Sequence, residues 1–336
     1  MAMPITARNK LVSILTATVV FTTLATLAVV AVGEHFHGGM TNGLIVGAGV
    51  GCLEEFYVQG KRGRWMRSIH PLKYLAIYAL MVWAIYLVGV HLTMLIYGSG
   101  DELQAFYGRL PIALPVFLGF AVASILIIRV IHFIGMADLL HLMLGTYHRP
   151  VLTRKVILFL DINGSTAIAE HLGALKARDL IAKFFFDISK PLTDHGGDVY
   201  LYKGDGLIAT WDWDKAVRRE AVLRAVDAMD VAIRSQHDAF QARFGLMPSY
   251  RIGIHGGEVV ISEQGDTKRS IGIYGDPINI AARLEEVARI HGVACVASGD
   301  LADALECGTT TRMAYLGTES VRGISHPIRI FTYRPA

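Results

Sequence analysis

Three stretches of this chain contain no Asp, Glu, Lys or Arg: Leu11–Val32, Tyr74–Tyr97 and Leu110–Ile128. As a helix, each is long enough to cross roughly 30 Å of hydrocarbon. A shorter stretch, Gly43–Val58, contains Glu54 and Glu55 but reads as a further span, because it returns the chain to its starting side. The composition agrees with a membrane half, since 53% of the 336 residues are hydrophobic. No small-residue cleavage site precedes Glu34, which argues against a signal peptide over Leu11–Val32. Basic residues orient the spans. Arg8 and Lys10 precede the first, and Lys61, Arg62, Arg64, Arg67 and Lys73 lie between the second and third. The segment His35–Thr41 reads as a loop without Lys or Arg, and Gly98–Arg109 has Arg109 alone. The positive-inside rule then puts both ends in the cytoplasm, which four spans permit and three do not. The net charge of +3 gives no reason to propose a nucleic-acid partner. Cys52, Cys295 and Cys307 have neither disulfide-framework nor metal-ligand spacing.

After Ile128 the character changes. Arg129–Arg149 keeps apolar residues at helical spacing, mixed with His and charge, and Pro150 ends it. The expected organisation is a four-helix transmembrane anchor or sensor over 1–135, a helical stalk over 136–150 and a cytoplasmic domain over 151–336. In that domain Val156–Leu160 reads as a buried strand and Ala174–Thr193 as a helix. Asp198–Lys203 and Leu207–Trp211 form a hairpin around Gly204-Asp205-Gly206. Lys215–Phe244 reads as one long helix, Tyr250–His255 and Glu258–Ser262 as strands about a Gly256-Gly257 turn, and Asp276–Ile290 as a helix. The order β-α-β-β-α-β is a ferredoxin-like α+β arrangement, expected with its helices on one face.

Val156–Leu160 ends on Asp161, followed by Asn163-Gly164-Ser165-Thr166. If the first strand neighbours the hairpin, Asp161 and Asp205 meet at one sheet edge. Two hard oxygen ligands there suit Mg²⁺, which takes few carboxylates together with substrate phosphates. Gly164, Ser165 and Thr166 expose backbone N–H groups at a helix start, where an anion is favoured. The plain alternatives are an N-capped turn and ordinary hairpin chemistry. On the next helix Asn279 and Arg283 are four residues apart and project from one face, a possible clamp for a charged transition state or a plain surface pair.

Taken together, LDINGST, HGGDVYLYKGDGLIATW and GDTKRSIGIYGDPINIAARLEEVAR resemble the catalytic domain of class III adenylyl/guanylyl cyclases, from about Lys155 to Tyr333. The membrane half looks like that of bacterial members with a helical anchor. The resemblance implies a multi-pass protein of the bacterial inner membrane that converts ATP to 3′,5′-cyclic AMP and pyrophosphate. It implies two Mg²⁺ or Mn²⁺ ions on Asp161, the Ile162 backbone and Asp205, with Asn279 orienting the ribose and Arg283 stabilising the α-phosphate. Gly164, Ser165, Thr166, Lys203, Gly204, Ile273 and Arg322 would contact the rest of the nucleotide. It also implies a homodimer with shared sites, joined through catalytic domain, stalk and membrane helices, with the lipid bilayer as a further partner. The sequence departs from the family where the base is read. Leu201 stands where adenine-selective members often have Lys, with Lys203 on the same strand face, and Gly272 stands where an Asp is usual. Ile324 occupies a position near Arg322 where a Lys is common. A guanylyl cyclase, or a weak regulatory homologue, is the alternative. The Gly-Gly-Asp/Glu-Glu-Phe hairpin of diguanylate cyclases is not present. His35, His37 and His91 toward the outer side, with His70 and His132 toward the inner, form the two-sided pattern that bis-histidine haem b ligation requires. Interfacial histidines bonded to backbone and water are the plain alternative.

Overall fold

The computed structural model describes residues 36–58, 61–63, 65–66, 69–97, 141, 144–267, 269–305, 312–320 and 327–335, with scattered positions between 11 and 26. It divides into two compact units, Met1–Leu140 and His141–Ala336.

In the first unit, helix α1 (Phe36–Cys52) runs into a π-helical turn, Leu53–Val58, and helix α2 spans Pro71–Tyr97. The expected loop at His35–Thr41 is therefore helical from Phe36 onward. Glycine lets the two helices approach closely. A Cβ on Gly49 would lie 2.6 Å from Ile85 Cγ2, and one on Gly89 would lie 2.6 Å from Asn42 Oδ1. Among the described residues one helix, Lys73–Ile96, is long and apolar enough to cross a membrane. Gly43–Val58 is helical but carries Glu54, which is buried, and Glu55. Leu11–Val32 is described only in part, and Leu110–Ile128 lies outside the described residues.

The stalk does not remain helical as far as Pro150. The Thr146 N–H reaches the His141 carbonyl at 3.0 Å across Gly145, which has φ 64. That is the six-to-one bond that closes a helix, and residues 144–149 form turns and a bend. The rest of the stalk lies outside the described residues.

The second unit is built on strands β1 (Val151–Ile162), β2 (Asp198–Lys203), β3 (Gly206–Asp212), β4 (Tyr250–Gln264), β5 (Ser270–Tyr274), β6 (Cys295–Ser298), β7 (Met313–Glu319) and β8 (Ile328–Tyr333). Its helices are α3 (Ser165–Leu172), α4 (Ala174–Asp194), α5 (Trp213–Val217), α6 (Ala221–Arg234), α7 (His237–Phe244), α8 (Asp276–His291) and α9 (Gly299–Ala304). The sheet order is β2-β3-β1-β4-β6-β8-β7, with β5 paired to β4. Its first four strands have the ferredoxin-like order, with β1 antiparallel to both β3 and β4.

The continuous apolar run of β1 exists because both of its faces are covered. Val156, Leu158, Leu160 and Ile162 enter a core with Leu180, Phe184 and Ile188 of α4 and Val222, Val226 and Met229 of α6. Ile157 points the other way, toward Ala281 of α8. Helices thus cover both faces, not one as expected. Helix α8 has its own core of Ile280, Leu284, Val287, Ala288, Val296, Ile328 and Ile330.

Two further expectations are corrected. The long helix over Lys215–Phe244 is broken into α5, α6 and α7. Arg219 and Glu220 take positive φ (55 and 52), and that step lets α5 turn Trp213 beneath Arg154 while α6 turns its apolar stripe to the core. The Gly256-Gly257 turn is instead the interior of one strand, β4. Those glycines are sites of close approach: an added Cβ would lie 2.3 Å from the Trp213 ring at Gly256 and 2.7 Å from Pro277 at Gly257.

Candidate active site

Asp161, one residue from the end of β1, stands opposite Gly206 of β3 and Arg251 of β4. The β2–β3 hairpin therefore delivers Asp205 beside it. The Asp205 carbonyl accepts the Ile162 N–H at 3.3 Å. Space at Gly206 is tight, since a Cβ there would fall 3.2 Å from the Leu160 carbonyl and 3.3 Å from Asp161 Oδ1. Burial is the main force pushing the Asp161 carboxyl up to about 6. The nearby Asp205 and Glu285 carboxylates add to it, while Arg251 and Arg289 oppose. A divalent cation would relieve this crowding of negative charge, so the donor set fits a hard metal ion. Among the described residues no group of three or more His, Cys, Asp or Glu could hold a metal. Such an ion would complete its shell with phosphate and water, as Mg²⁺ prefers.

The turn after Asp161 is not an N-cap of the ordinary kind. Gly164 takes a left-handed conformation (φ 63) and no side chain caps α3. The first-turn N–H groups, including those of Ser165 and Thr166, are thus without a side-chain acceptor, as an anion cradle requires. Asn163 is tied to the neighbouring loop instead, with its N–H on the Ser249 carbonyl and its side-chain amide on Ser249 Oγ, both at 2.9 Å. The Ser165 hydroxyl donates to Asp205 Oδ2. Arg178 of α4 donates to the Gly204 carbonyl at 3.2 Å. Lys203 and Leu201 pair with Gly206 and Ile208 without a register shift between them, so they share a face, and both are exposed.

Asn279 and Arg283 lie on a different surface. The residues of α8 that meet the sheet are Pro277, Ala281, Leu284, Glu285 and Ala288. At 100° per residue, positions 279, 283, 286 and 290 fall on the opposite side. Asn279 is exposed there, Arg283 donates to Glu286 at 2.8 Å and Ile290 is 75% exposed. One chain therefore does not aim this pair at Asp161 and Asp205. The Ile273 N–H, on β5, is received by the Tyr200 hydroxyl of β2 at 3.1 Å. Arg322 lies outside the described residues.

Sequence reasoning missed the ion pair beside Asp161. Arg251 Nε donates to Glu285 at 2.8 Å, and Glu285 is only 7% exposed. A signal was present, since Glu285 sits four residues after Ala281 within the apolar stripe of α8 and a carboxylate there requires a cationic partner. Of the expected haem ligands, His91 bonds through Nδ1 to the Leu87 carbonyl at 2.7 Å, and His70 is exposed just before α2. His37 lies in the first turn of α1, while His35 and His132 are outside the described residues.

Residues 152–333 match the family described as adenylate and guanylate cyclase catalytic domain. Adenylate cyclase 2 of Rhizobium meliloti is 32% identical over 208 residues, covering 62% of this chain and 57% of that protein. The adenylate cyclase of Anabaena cylindrica is 26% identical over 184 residues, covering 53% of this chain and 36% of that protein. The chain thus spans little more than half of the first relative and about a third of the second. Among solved structures, a bacterial light-regulated adenylyl cyclase has a TM-score of 0.49 at 22% identity, covering 55% of this chain and 52% of that one. The adenylyl cyclase CyaB from P. aeruginosa has a TM-score of 0.47 at 20% identity, covering 56% and 97%. The family match takes in more than half of the chain, with the paired carboxylates and the Asn279–Arg283 helix inside it, and the chain belongs to the adenylate and guanylate cyclase catalytic domain family.

Proposed function

We propose that this protein is a membrane-anchored adenylyl cyclase that forms 3′,5′-cyclic AMP and pyrophosphate from ATP, in sites shared between two copies of the chain. The observation that carries the reading is the juxtaposition of Asp161 and Asp205 beside the uncapped first turn of α3. Asp161, Asp205 and the Ile162 backbone would hold divalent ions, Mg²⁺ or Mn²⁺, which when bound supply Lewis-acid activation of the ribose hydroxyl and charge neutralisation on the triphosphate. The chain does the positioning. N–H groups at Gly164, Ser165 and Thr166 receive phosphate oxygens. Arg251, beside Asp161, is held on the same edge by its ion pair with Glu285. The ribose 3′-oxygen forms its bond to the α-phosphorus in line as the bond to the β-phosphate oxygen breaks, and the hydroxyl proton leaves to solvent.

Asn279 orients the ribose and Arg283 meets charge on the α-phosphate, both from the second copy. Their place on the outward face of α8 supports this division. A head-to-tail pair places that face against the partner's carboxylates and yields two equivalent sites. Adenine is favoured by the relatives named adenylate cyclase. In an antiparallel strand a residue's N–H and C=O point to the same side. With the Ile273 N–H taken by Tyr200, what that edge can offer is an acceptor, which suits an amino group on either purine.

The test is cyclic nucleotide formation by the purified full chain with Mn²⁺ or Mg²⁺ and ATP or GTP. Cyclic AMP should form in excess. Asp161→Asn should abolish it with the circular dichroism spectrum retained, because an amide is a poor ligand for a hard cation. No product, or near-normal activity in Asp161→Asn, overturns the reading.

A further inference from the structure

Asp205 sits on the shortest kind of hairpin loop, Gly204-Asp205, between the paired residues Lys203 and Gly206. Gly204 has φ 65 and Asp205 does not take positive φ, the pattern of a turn with glycine at its first central position. The turn fixes the backbone and leaves the Asp205 side-chain torsions open. With Asp161 alongside, like-charge repulsion favours a carboxylate rotated away from it. Two side chains from outside the sheet meet this turn, one at the carboxylate and one at the backbone. The Ser165 hydroxyl, at the first residue of α3, donates to Asp205 Oδ2. The Arg178 guanidinium, near the start of α4, donates to the Gly204 carbonyl at 3.2 Å, and Arg178 is otherwise exposed. Both belong to the α3–α4 segment, packed over the opposite face of the sheet from α8. A carboxylate accepts at two oxygens, so a hydroxyl on Oδ2 still permits a cation on the same group.

We propose that Ser165 and Arg178 are positioning residues for the metal site, with the Ser165 hydroxyl setting the direction of the Asp205 carboxylate and Arg178 holding the turn beside Asp161. This gives Ser165 a side-chain task in addition to its backbone N–H, and assigns Arg178 a task that no sequence motif marks. The inference rests on Asp161 and Asp205 being the metal ligands.

The experiment measures Mn²⁺ binding to the purified full chain without nucleotide, from the electron paramagnetic resonance signal of free Mn²⁺. Ser165→Ala and Arg178→Gln should each weaken binding by about tenfold, as the loss of groups that orient metal ligands does. Ser165→Thr keeps the hydroxyl and should bind like the parent. Asp205→Asn is the control for the underlying assignment. If it binds Mn²⁺ like the parent, the metal reading itself fails. If Asp205→Asn loses binding while Ser165→Ala and Arg178→Gln both keep it, the positioning inference alone is overturned. It is likewise overturned if those two variants raise only the KM for ATP, which would make both residues phosphate contacts. Melting curves on each variant separate a local loss from unfolding, and the Ser165→Ala and Ser165→Thr pair differs by the hydroxyl contact in question.

Discussion

Gly253 offers a direct way to move the clamp without touching it. It lies on β4 opposite Phe159 of β1 and Val296 of β6, directly beneath α8. A Cβ there would sit 2.1 Å from the Ala281 carbonyl oxygen, 2.4 Å from the Glu285 nitrogen and 2.9 Å from the Leu284 carbonyl carbon. All three atoms are helix backbone, so no rotamer change relieves the clash. For Gly253→Ala to fit, α8 has to withdraw by about 1 Å, an overpacking that costs about 1–3 kcal/mol. Asn279 and Arg283 move with the helix, and the 2.8 Å bond from Arg251 to Glu285 is stretched. A misplacement of about 1 Å in a positioning group costs about 100-fold in rate. Cyclic AMP formation at saturating Mn²⁺ and ATP should therefore fall about 100-fold in a protein whose circular dichroism is unchanged and whose heat inactivation is faster. Turnover within twofold of the parent would refute the contact between α8 and β4 as the support of the clamp.

His255 predicts an acid dependence of stability. It is 6% exposed with Nδ1 on Ser298 Oγ at 2.7 Å, and burial pushes its pKa down to about 4, with Asp300 opposing weakly. Between about pH 6.5 and 4 the unfolded chain takes up a proton that the folded one refuses, so stability falls as pH drops through that window, by up to about 3 kcal/mol. Asp161, with its raised pKa, acts in the opposite sense, so the comparison is between parent and His255→Asn. The variant's Tm should decline less than the parent's from pH 6.5 to 4, and parallel declines would contradict the assignment. Lys203 shares a strand face with Leu201, so Lys203→Glu should change the ratio of ATP to GTP turnover more than the Mn²⁺ requirement. An equal loss with both nucleotides would place Lys203 at the phosphates instead.

The sheet edge was legible in sequence because its signals are local. A buried apolar run ending on Asp161, and a glycine-bracketed Asp205 at a two-residue turn, each state their own backbone geometry. The two-sided covering of β1 was hidden in that same run, since a strand buried on both faces has no alternation to read. Gly256 and Gly257 misled for a related reason. Glycine marks both turns and close approaches, and only the tertiary partners, Trp213 and Pro277, decide between them. The break at Arg219 and Glu220 had no glycine or proline to announce it. The Ser165 hydroxyl and Arg178 join residues far apart in the chain through one hydrogen bond each, which no spacing encodes.

The central claim is that the carboxylate pair and the outward face of α8 complete one another only across two chains. Asp161→Ala and Arg283→Ala should each be inactive when expressed alone. In a mixed dimer one site carries both lesions and the other carries neither. Tagging the two variants differently and purifying through both tags isolates that dimer. Its cyclic AMP formation should recover to about half that of the parent dimer, as the symmetry of two equivalent sites requires. Verified mixed dimers that are folded yet inactive would contradict the shared-site account.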